Sequence, residues 1–270
     1  RSSVREALIA LERMVGRITT HWVAVSQADR RQGIEWGLFT ASKVSVVRPG
    51  IDPTAFAARI ESPERDRLRA MLGVAPDQLL VGTVSCLKPQ KSPEDFVRVA
   101  ALVCQRVPAA RCVLVGDGAL RPKVEALLLE QGLQDRVTLL GWRRDVAALL
   151  KAFDVFVLTS QWEGLPCAIL EARASRIPIV ATRVGGAAEA IVEGIQGTLC
   201  PAGDVRAMAE RVCQILEDER FRVDLRTGTQ ELPEEFTIQE TLKQYQSLYA
   251  YLLHATRPSE DVMKLQPNRL

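Results

Sequence analysis

The chain has 270 residues, 47% of them hydrophobic and 25% charged, with a net charge of +2. That length supplies one large domain or one domain plus part of a second, with enough apolar residues for a real core. The near-neutral balance argues against nucleic acid as a partner, and no apolar run is long enough to cross a bilayer.

Read from the N-terminus, REALIALERMVGRIT has helical period, HWVAVS reads as a strand, ADRRQGIEWG as a helix and KVSVVRPG as a strand. These first fifty residues are the tail of an α/β unit, too short to close a sheet alone. The chain starts inside a helical pattern and without Met, so a longer parent that has lost its front is expected. Basic residues gather here (Arg1, Arg5, Arg13, Arg17, Arg30, Arg31) and read as solvated helix faces. IDPTAFAARIESPERDRLRAMLG reads as a linker and a helix.

From position 79 onward strand and helix alternate. LLVGTVS is a strand. SPEDFVRVAALVCQRV is a helix with Ser92 as its N-cap and Pro93 at its first position. RCVLVGDG is a strand with a glycine turn, LRPKVEALLLEQG a helix stopped by Gly132, RVTLLGW a strand, RDVAALLKA a short helix and FDVFVLTS a strand. Residues 165–173 read as a helix, IPIVATR as a strand, AAEAIVEG as a short helix and GTLCPAGD as a short strand. Asp204 then caps VRAMAERVCQILED. Such alternation specifies an α/β fold: a Rossmann-like parallel sheet with helices on both faces. The expected divisions are 1–50, an N-terminal α/β remnant; 51–76, linker and helix; 77–218, the Rossmann-like domain; 219–256, C-terminal helices; and 257–270, a polar tail.

Six cysteines form no C-x-x-C pair. They read as buried free thiols in a reducing, cytoplasmic setting, and no metal site is expected. His21 and His254 lack acidic or cysteine partners at meaningful spacing and read as structural or exposed.

In an open parallel sheet, ligands bind beyond the carboxyl ends of the strands. Five groups fall on that edge: Lys88 and Lys91; Gly116, Asp117 and Gly118; Trp142 and Arg143; Glu163; and Thr182, Gly185 and Gly186. The densest stretch, 163–189, holds three carboxylates (Glu163, Glu171, Glu189) and the glycine pair around an apolar strand. A carboxylate accepts two hydroxyls at once and suits a vicinal diol. Gly164 lets backbone amides approach a ligand, and the helix after it offers unpaired N–H groups to a phosphate. Lys91 is placed to neutralise a diphosphate. GDGALR departs from the dinucleotide fingerprint, with Arg121 at the third glycine position, and reads better as a tight turn. Trp142 suits either stacking on a base or capping the core.

With Glu163 and Glu171 in the setting EGLPCAILEARASRIPIVATRVGGAAEAI, and with LVGDGALR, VTLLGWRRDV and PAGD, the chain resembles the family-four glycosyltransferases of GT-B fold. Glu163 and Glu171 match that family's Glu-x7-Glu signature, and VAVSQADRRQGIEWG…KVSVVRPGID is similar to the end of its N-terminal, acceptor-side domain. The resemblance implies a retaining transfer of sugar from a nucleotide-diphosphate donor, with no metal and no other cofactor. It implies that Glu171 holds ribose hydroxyls, and that Glu163 and the backbone of Gly164 and Leu165 meet the donor sugar and phosphates. Lys91 then faces the diphosphate, and the helices after Glu219 brace the N-terminal domain. The family's arginine five residues before the lysine is replaced by Cys86, with Lys88 as the expected substitute. The acceptor stays open between a polysaccharide, a lipid-linked glycan and a small molecule, and peripheral membrane association goes with the lipid-linked case. Because most of the N-terminal domain is missing, weak donor binding and poor turnover by this chain alone are expected. The alternatives are a nucleotide-sugar epimerase of the same architecture, a non-catalytic binding module and, more remotely, a nicotinamide oxidoreductase.

Overall fold

The computed structural model describes residues 2–57, 62–228 and 231–255. The tail expected at 257–270 lies outside them. The N-terminal part comprises α1 (Ser2–Gly16), β1 (Trp22–Ala24), α2 (Gln27–Glu35) and β2 (Val44–Val46), with β1 and β2 paired in parallel. Two helices follow, α3 (Thr54–Ala57) and α4 (Ser62–Met71). The main unit then runs β3 (Leu79–Val84), α5 (Pro93–Arg106), β4 (Ala110–Val115), α6 (Arg121–Glu130), β5 (Val137–Gly141) and α7 (Val146–Ala152). It continues through β6 (Val155–Leu158), α8 (Cys167–Ala174), β7 (Ile179–Thr182), α9 (Ala187–Ala190), β8 (Gly197–Cys200) and α10 (Val205–Glu217). Helices α11 (Glu219–Gly228) and α12 (Ile238–Ala255) close the chain.

The main sheet is six-stranded and parallel throughout, in the order β5-β4-β3-β6-β7-β8. Sequence order reverses between β3 and β6, so the loops after these two strands open a crevice at the sheet's centre. Alternation along the strands divides the core in two. Val81, Leu114, Val155, Val157 and Val180 pack under α5, α6 and α10. Leu80, Phe156, Leu158, Ile179 and Ala181 pack under α7 and α8. This is the α/β fold with helices on both faces that the strand–helix alternation specifies. Gly82 of β3 leaves room for the Phe153 ring, which would stand 2.1 Å from an added Cβ.

Local signals explain the element ends. Asp204 accepts from Ala207 N at 3.0 Å and caps α10. Gly132 ends α6 in the left-handed region. Ser92 occupies the N-cap position of α5, but its hydroxyl donates to the Asp95 carboxylate at 2.7 Å and does not accept from the helix backbone. Helix α8 begins at Cys167, two residues later than the sequence pattern suggests, because Leu165 and Pro166 are spent on the turn into it. Helix α9 is a single turn.

Asp154, at the foot of β6, anchors α4 to the sheet. It accepts from Arg65 at 2.8 Å, Arg69 at 2.9 Å and Leu80 N at 2.7 Å. The same arginines cover the last carbonyls of α7 at Lys151 and Ala152. Near the C-terminus, Ile51 N donates to Phe236 O, Ile238 N donates to Ile51 O, and the Thr241 hydroxyl donates to Arg48 O. The approach to α12 is thereby tied to the segment leaving β2. Among the described residues, no helix is long and apolar enough to cross a membrane. All six cysteines are unpaired; four are buried, Cys86 is half-buried and Cys167 is exposed.

Candidate functional site

The loops after β3 and β6 are stitched together across the crevice. Gln161 N donates to Gln90 O at 2.7 Å, and the Gln90 amide donates to Trp162 O at 2.9 Å. The Thr159 hydroxyl reaches the carbonyls of Lys91 and Ser92 at 3.0 Å each. Ser92 adopts a left-handed backbone (φ 45°), a conformation that costs a non-glycine residue about 1–3 kcal/mol and is tolerated where the surroundings enforce it.

At the centre, Lys91 and Glu163 form an ion pair. Glu163 is buried, and its Oε1 also accepts from the Ser160 hydroxyl at 2.5 Å. Glu163 is thus held in one orientation by a cation and a hydroxyl, and Lys91 keeps hydrogens to share with an incoming anion. Glu171 projects from the second turn of α8. Burial raises its carboxyl above the usual range, and among the described residues it has no hydrogen-bond or ion-pair partner. Cys167, at the start of α8, lies within electrostatic reach of all three: packing and the Glu171 charge raise its thiol, Lys91 lowers it and Glu163 raises it. Lys91, Glu163 and Glu171 therefore lie near one helix start. Pro166 offers α8 no side-chain cap, so the first amides of that helix are open to a ligand.

The glycines of this rim shape the backbone. Gly185 has φ 46°, and an added Cβ would lie 1.7 Å from Glu163 O. Gly186 N donates to Gly164 O at 2.7 Å. The glycine pair lies flat against Glu163 and Gly164. Leu165 is buried, with its side chain in the core under α8. Gly116 (φ 131°) presses against Ser85 O, 2.0 Å from an added Cβ, so it fits the β4 turn to the β3 loop. Leu87 N donates to Asp117 O at 2.9 Å in the same contact. Arg121 pairs with Asp117 and Glu125. Lys88 is exposed at the head of the β3 loop beside half-buried Cys86.

Two sequence readings need correction, and one alternative is excluded. Thr182 is buried and donates its hydroxyl to Ser160 O at 2.6 Å, so it props the Glu163 loop from beneath instead of facing a ligand. Glu189 is spent on the protein itself: it accepts from Gln27 N and Ala28 N at the start of α2, at 3.1 and 2.8 Å, and pairs with Arg48 at 3.0 Å. Trp142 is 71% exposed at the end of β5, an edge strand of the sheet, which excludes capping the core and leaves stacking on a base. His21 bonds Ser45 at 2.9 Å and is structural, as its lack of partners suggested. The sequence reading missed Ser160, Gln90 and Thr159. The polar run TSQ leaving an all-apolar strand was the one signal for Thr159 and Ser160, and Gln90 had none. Among the described residues, no group of three His, Cys, Asp or Glu is placed to hold a metal.

A cleft of about 300 Å³ opens beside Glu163, between α2 and the loops after β6 and β7. Ala28, Asp29 and Gln32 line one wall, and Gln161, Trp162, Glu163, Val184 and Gly185 the other. Burial raises the Asp29 carboxyl, the Ser26 hydroxyl lowers it, and the nearby Glu189 charge raises it further.

The chain is 28% identical over 252 residues to UDP-Gal:alpha-D-GlcNAc-diphosphoundecaprenol alpha-1,3-galactosyltransferase of Escherichia coli, covering 92% of this chain and 65% of that protein. It is 31% identical to D-inositol 3-phosphate glycosyltransferase of Corynebacterium urealyticum, covering 84% of this chain and 55% of the relative. The chain thus spans a little over half to two thirds of the length of these relatives. Among solved structures, Anabaena Alr3699/HepE in complex with UDP-glucose superposes with a TM-score of 0.77 at 27% identity, over 86% of this chain and 64% of that one. The sucrose-phosphate synthase of Thermosynechococcus elongatus superposes with a TM-score of 0.79 at 25% identity, over 93% and 63%. Residues 64–232, which carry the whole six-stranded sheet and its rim, match the model for glycosyl transferases group 1, and the chain belongs to that family of GT-B glycosyltransferases.

Proposed function

We propose that this chain carries the donor-binding half of a retaining glycosyltransferase that uses a nucleotide-diphosphate sugar. The observation that carries the reading is the arrangement at the β3/β6 crevice. An oriented Lys91–Glu163 pair and an unpartnered, half-buried Glu171 lie around the open N-terminus of α8. A nucleotide-diphosphate sugar presents complementary groups. Its ribose diol satisfies Glu171, whose burial without a partner is otherwise unfavourable. Its diphosphate meets the first amides of α8 and the Lys91 ammonium, with exposed Lys88 as a second cation. Its sugar lies against Glu163 and the backbone of Gly164, where the carboxylate is already aimed.

The chemical work is to stabilise the departing diphosphate. A cation and a helix N-terminus fixed before reaction do this without reorganisation. No metal enters this reading, and retention belongs to it, with the acceptor hydroxyl attacking from the face the diphosphate leaves. Uridine is the first base to try, since the Anabaena structure holds UDP-glucose. Six unpaired thiols favour a reducing, cytoplasmic setting.

The test is calorimetric titration with uridine, guanosine and adenosine diphosphate sugars. One of the three is expected to bind, and Glu171→Ala is expected to weaken it by at least ~tenfold, about 1.4 kcal/mol. Equal affinity in the variant, or no binding by any of the three, overturns the reading. Incubation with acceptor then separates transfer from epimerisation of the donor.

A further inference from the structure

We infer that the cleft beside Glu163 is an acceptor subsite for a neutral pyranose ring, stacked on the indole of Trp162 and hydrogen-bonded by Asp29 and Gln32. The inference rests on the glycosyl-transfer reading above and names the class of acceptor.

The first observation is Trp162 itself. Its neighbours Ser160, Glu163 and Leu165 are buried, yet Trp162 is 59% exposed. The exposure does not come from a loose loop, because Gln90 binds the backbone on both sides, at Gln161 N and at Trp162 O. A large aromatic face is therefore held in solvent on a fixed backbone. It costs hydration there and gains when an apolar surface covers it. A pyranose offers a matching surface, a flat array of C–H groups with hydroxyls at the rim. An aromatic ring with a polar edge suits such an amphipathic partner.

The second observation is the opposite wall. Asp29 and Gln32 are three residues apart on α2 and so share one helix face. Both line the cleft, at the height of Trp162 and Glu163. A carboxylate and a primary amide together accept from and donate to hydroxyls. The cleft's size, about 300 Å³, is at the lower end for small-molecule sites and fits one sugar unit.

The third observation is charge. Two carboxylates, Asp29 and Glu163, line the cleft, and no lysine or arginine is among its lining residues. Glu163 is already paired with Lys91, so the lining offers no free cation to a phosphate or carboxylate on the acceptor's reacting unit, whereas a neutral sugar needs none. Trp162 directly precedes Glu163, so a ring on the indole lies next to the carboxylate assigned to the donor sugar.

The experiment is saturation-transfer NMR on the chain with methyl glucoside, methyl galactoside and methyl N-acetylglucosaminide. Sorbitol serves as an open-chain polyol and malate as an anion. At least one pyranoside is expected to bind, weakly and in the roughly millimolar range, with saturation strongest on its ring C–H protons. Trp162→Ala is expected to lose ~tenfold or more, Trp162→Phe to keep most of the binding, and Asp29→Asn to lose severalfold. Donor titration of Trp162→Ala should match the parent chain within about twofold. Sorbitol or malate binding as well as the pyranosides, or pyranoside binding indifferent to Trp162→Ala, overturns the subsite. Nucleotide-sugar binding with no pyranoside signal overturns the subsite and leaves the donor reading standing. Pyranoside binding without any nucleotide-sugar binding supports a carbohydrate cleft and overturns the donor reading.

Discussion

Strands β3, β4, β6 and β7 bury most of the side chains they carry, whereas β1 and β2 have three residues each and bury one apiece, Ala24 and Val44. The main sheet is covered by helices on both faces, and its core also takes in Ile51, Val74 and Phe236 from the segments that flank it. In the N-terminal part, α1 leaves Val4, Leu8, Leu11 and Met14 more than half exposed along one helical stripe. What fixes this part against the main unit is mostly polar: Glu189 on the start of α2, Arg48 between Glu189 and Glu235, and Thr241 on Arg48 O. The main unit is built as a platform, and the N-terminal part is attached to it by contacts that can be broken singly.

The sharpest way to break the platform is Asp154→Ala. The substitution strands Arg69, which is buried, and Arg65 beside it without their shared anion. Removing one partner from a buried ion network costs about 3–5 kcal/mol. The denaturation midpoint of the main sheet should fall accordingly, and a loss below about 1 kcal/mol would show the pair behaving as a surface bridge. The next largest effect is expected from Gly185→Ala. Its left-handed backbone and the 1.7 Å approach to Glu163 O leave no room for a methyl group. The strain is about 1–3 kcal/mol, and the Glu163 loop must move to relieve it. Donor binding should drop sharply while the far-ultraviolet dichroism stays that of the parent chain. Unchanged donor affinity would mean that the glycine loop does not fix the site.

The platform was far more legible in the sequence than the attachment. Alternating apolar strands and amphipathic helices, glycines at helix ends and Asp204 at a cap are local signals, and local energetics decide those elements. The rim followed because every strand is parallel, so each loop after a strand falls on one edge. What the sequence hid was pairing at a distance. Glu189 looked like a ligand for hydroxyls because its partners, Gln27 and Ala28, lie more than 160 positions away. Thr182 looked like a rim residue, but its hydroxyl faces inward to Ser160. Two tryptophans followed strands, and nothing local separated Trp142 on the outer strand from Trp162 in the cleft. Only strand order does that, and strand order is not written in any one segment.

The attachment itself is tested by Glu189→Gln. The carboxylate accepts from the first amides of α2 as an N-terminal cap would, and it balances Arg48. Losing a cap costs about 0.5–2 kcal/mol. Hydrogen exchange should quicken across β1, α2 and β2 and stay unchanged in β3 to β8. Exchange quickening in both sheets alike would show that the two parts unfold as one.

The smallest effect is the most specific. Burial raises the Glu171 carboxyl above its ordinary value near 4.5. Between that value and the raised one, the folded chain binds more protons at this position than the unfolded chain does. Stability therefore declines as pH rises through the window and levels off above it. Ribose hydroxyls donate to an ionised carboxylate, so donor affinity should run the opposite way, climbing with pH through the same window. Glu171→Gln removes the charge and should flatten both curves, raising stability slightly above the window and leaving weak, pH-independent donor binding. A donor affinity that still climbs with pH in the glutamine variant would assign the titration to another group. Opposite slopes in the parent chain, both lost in the variant, are what a structural carboxylate on a helix face would not produce.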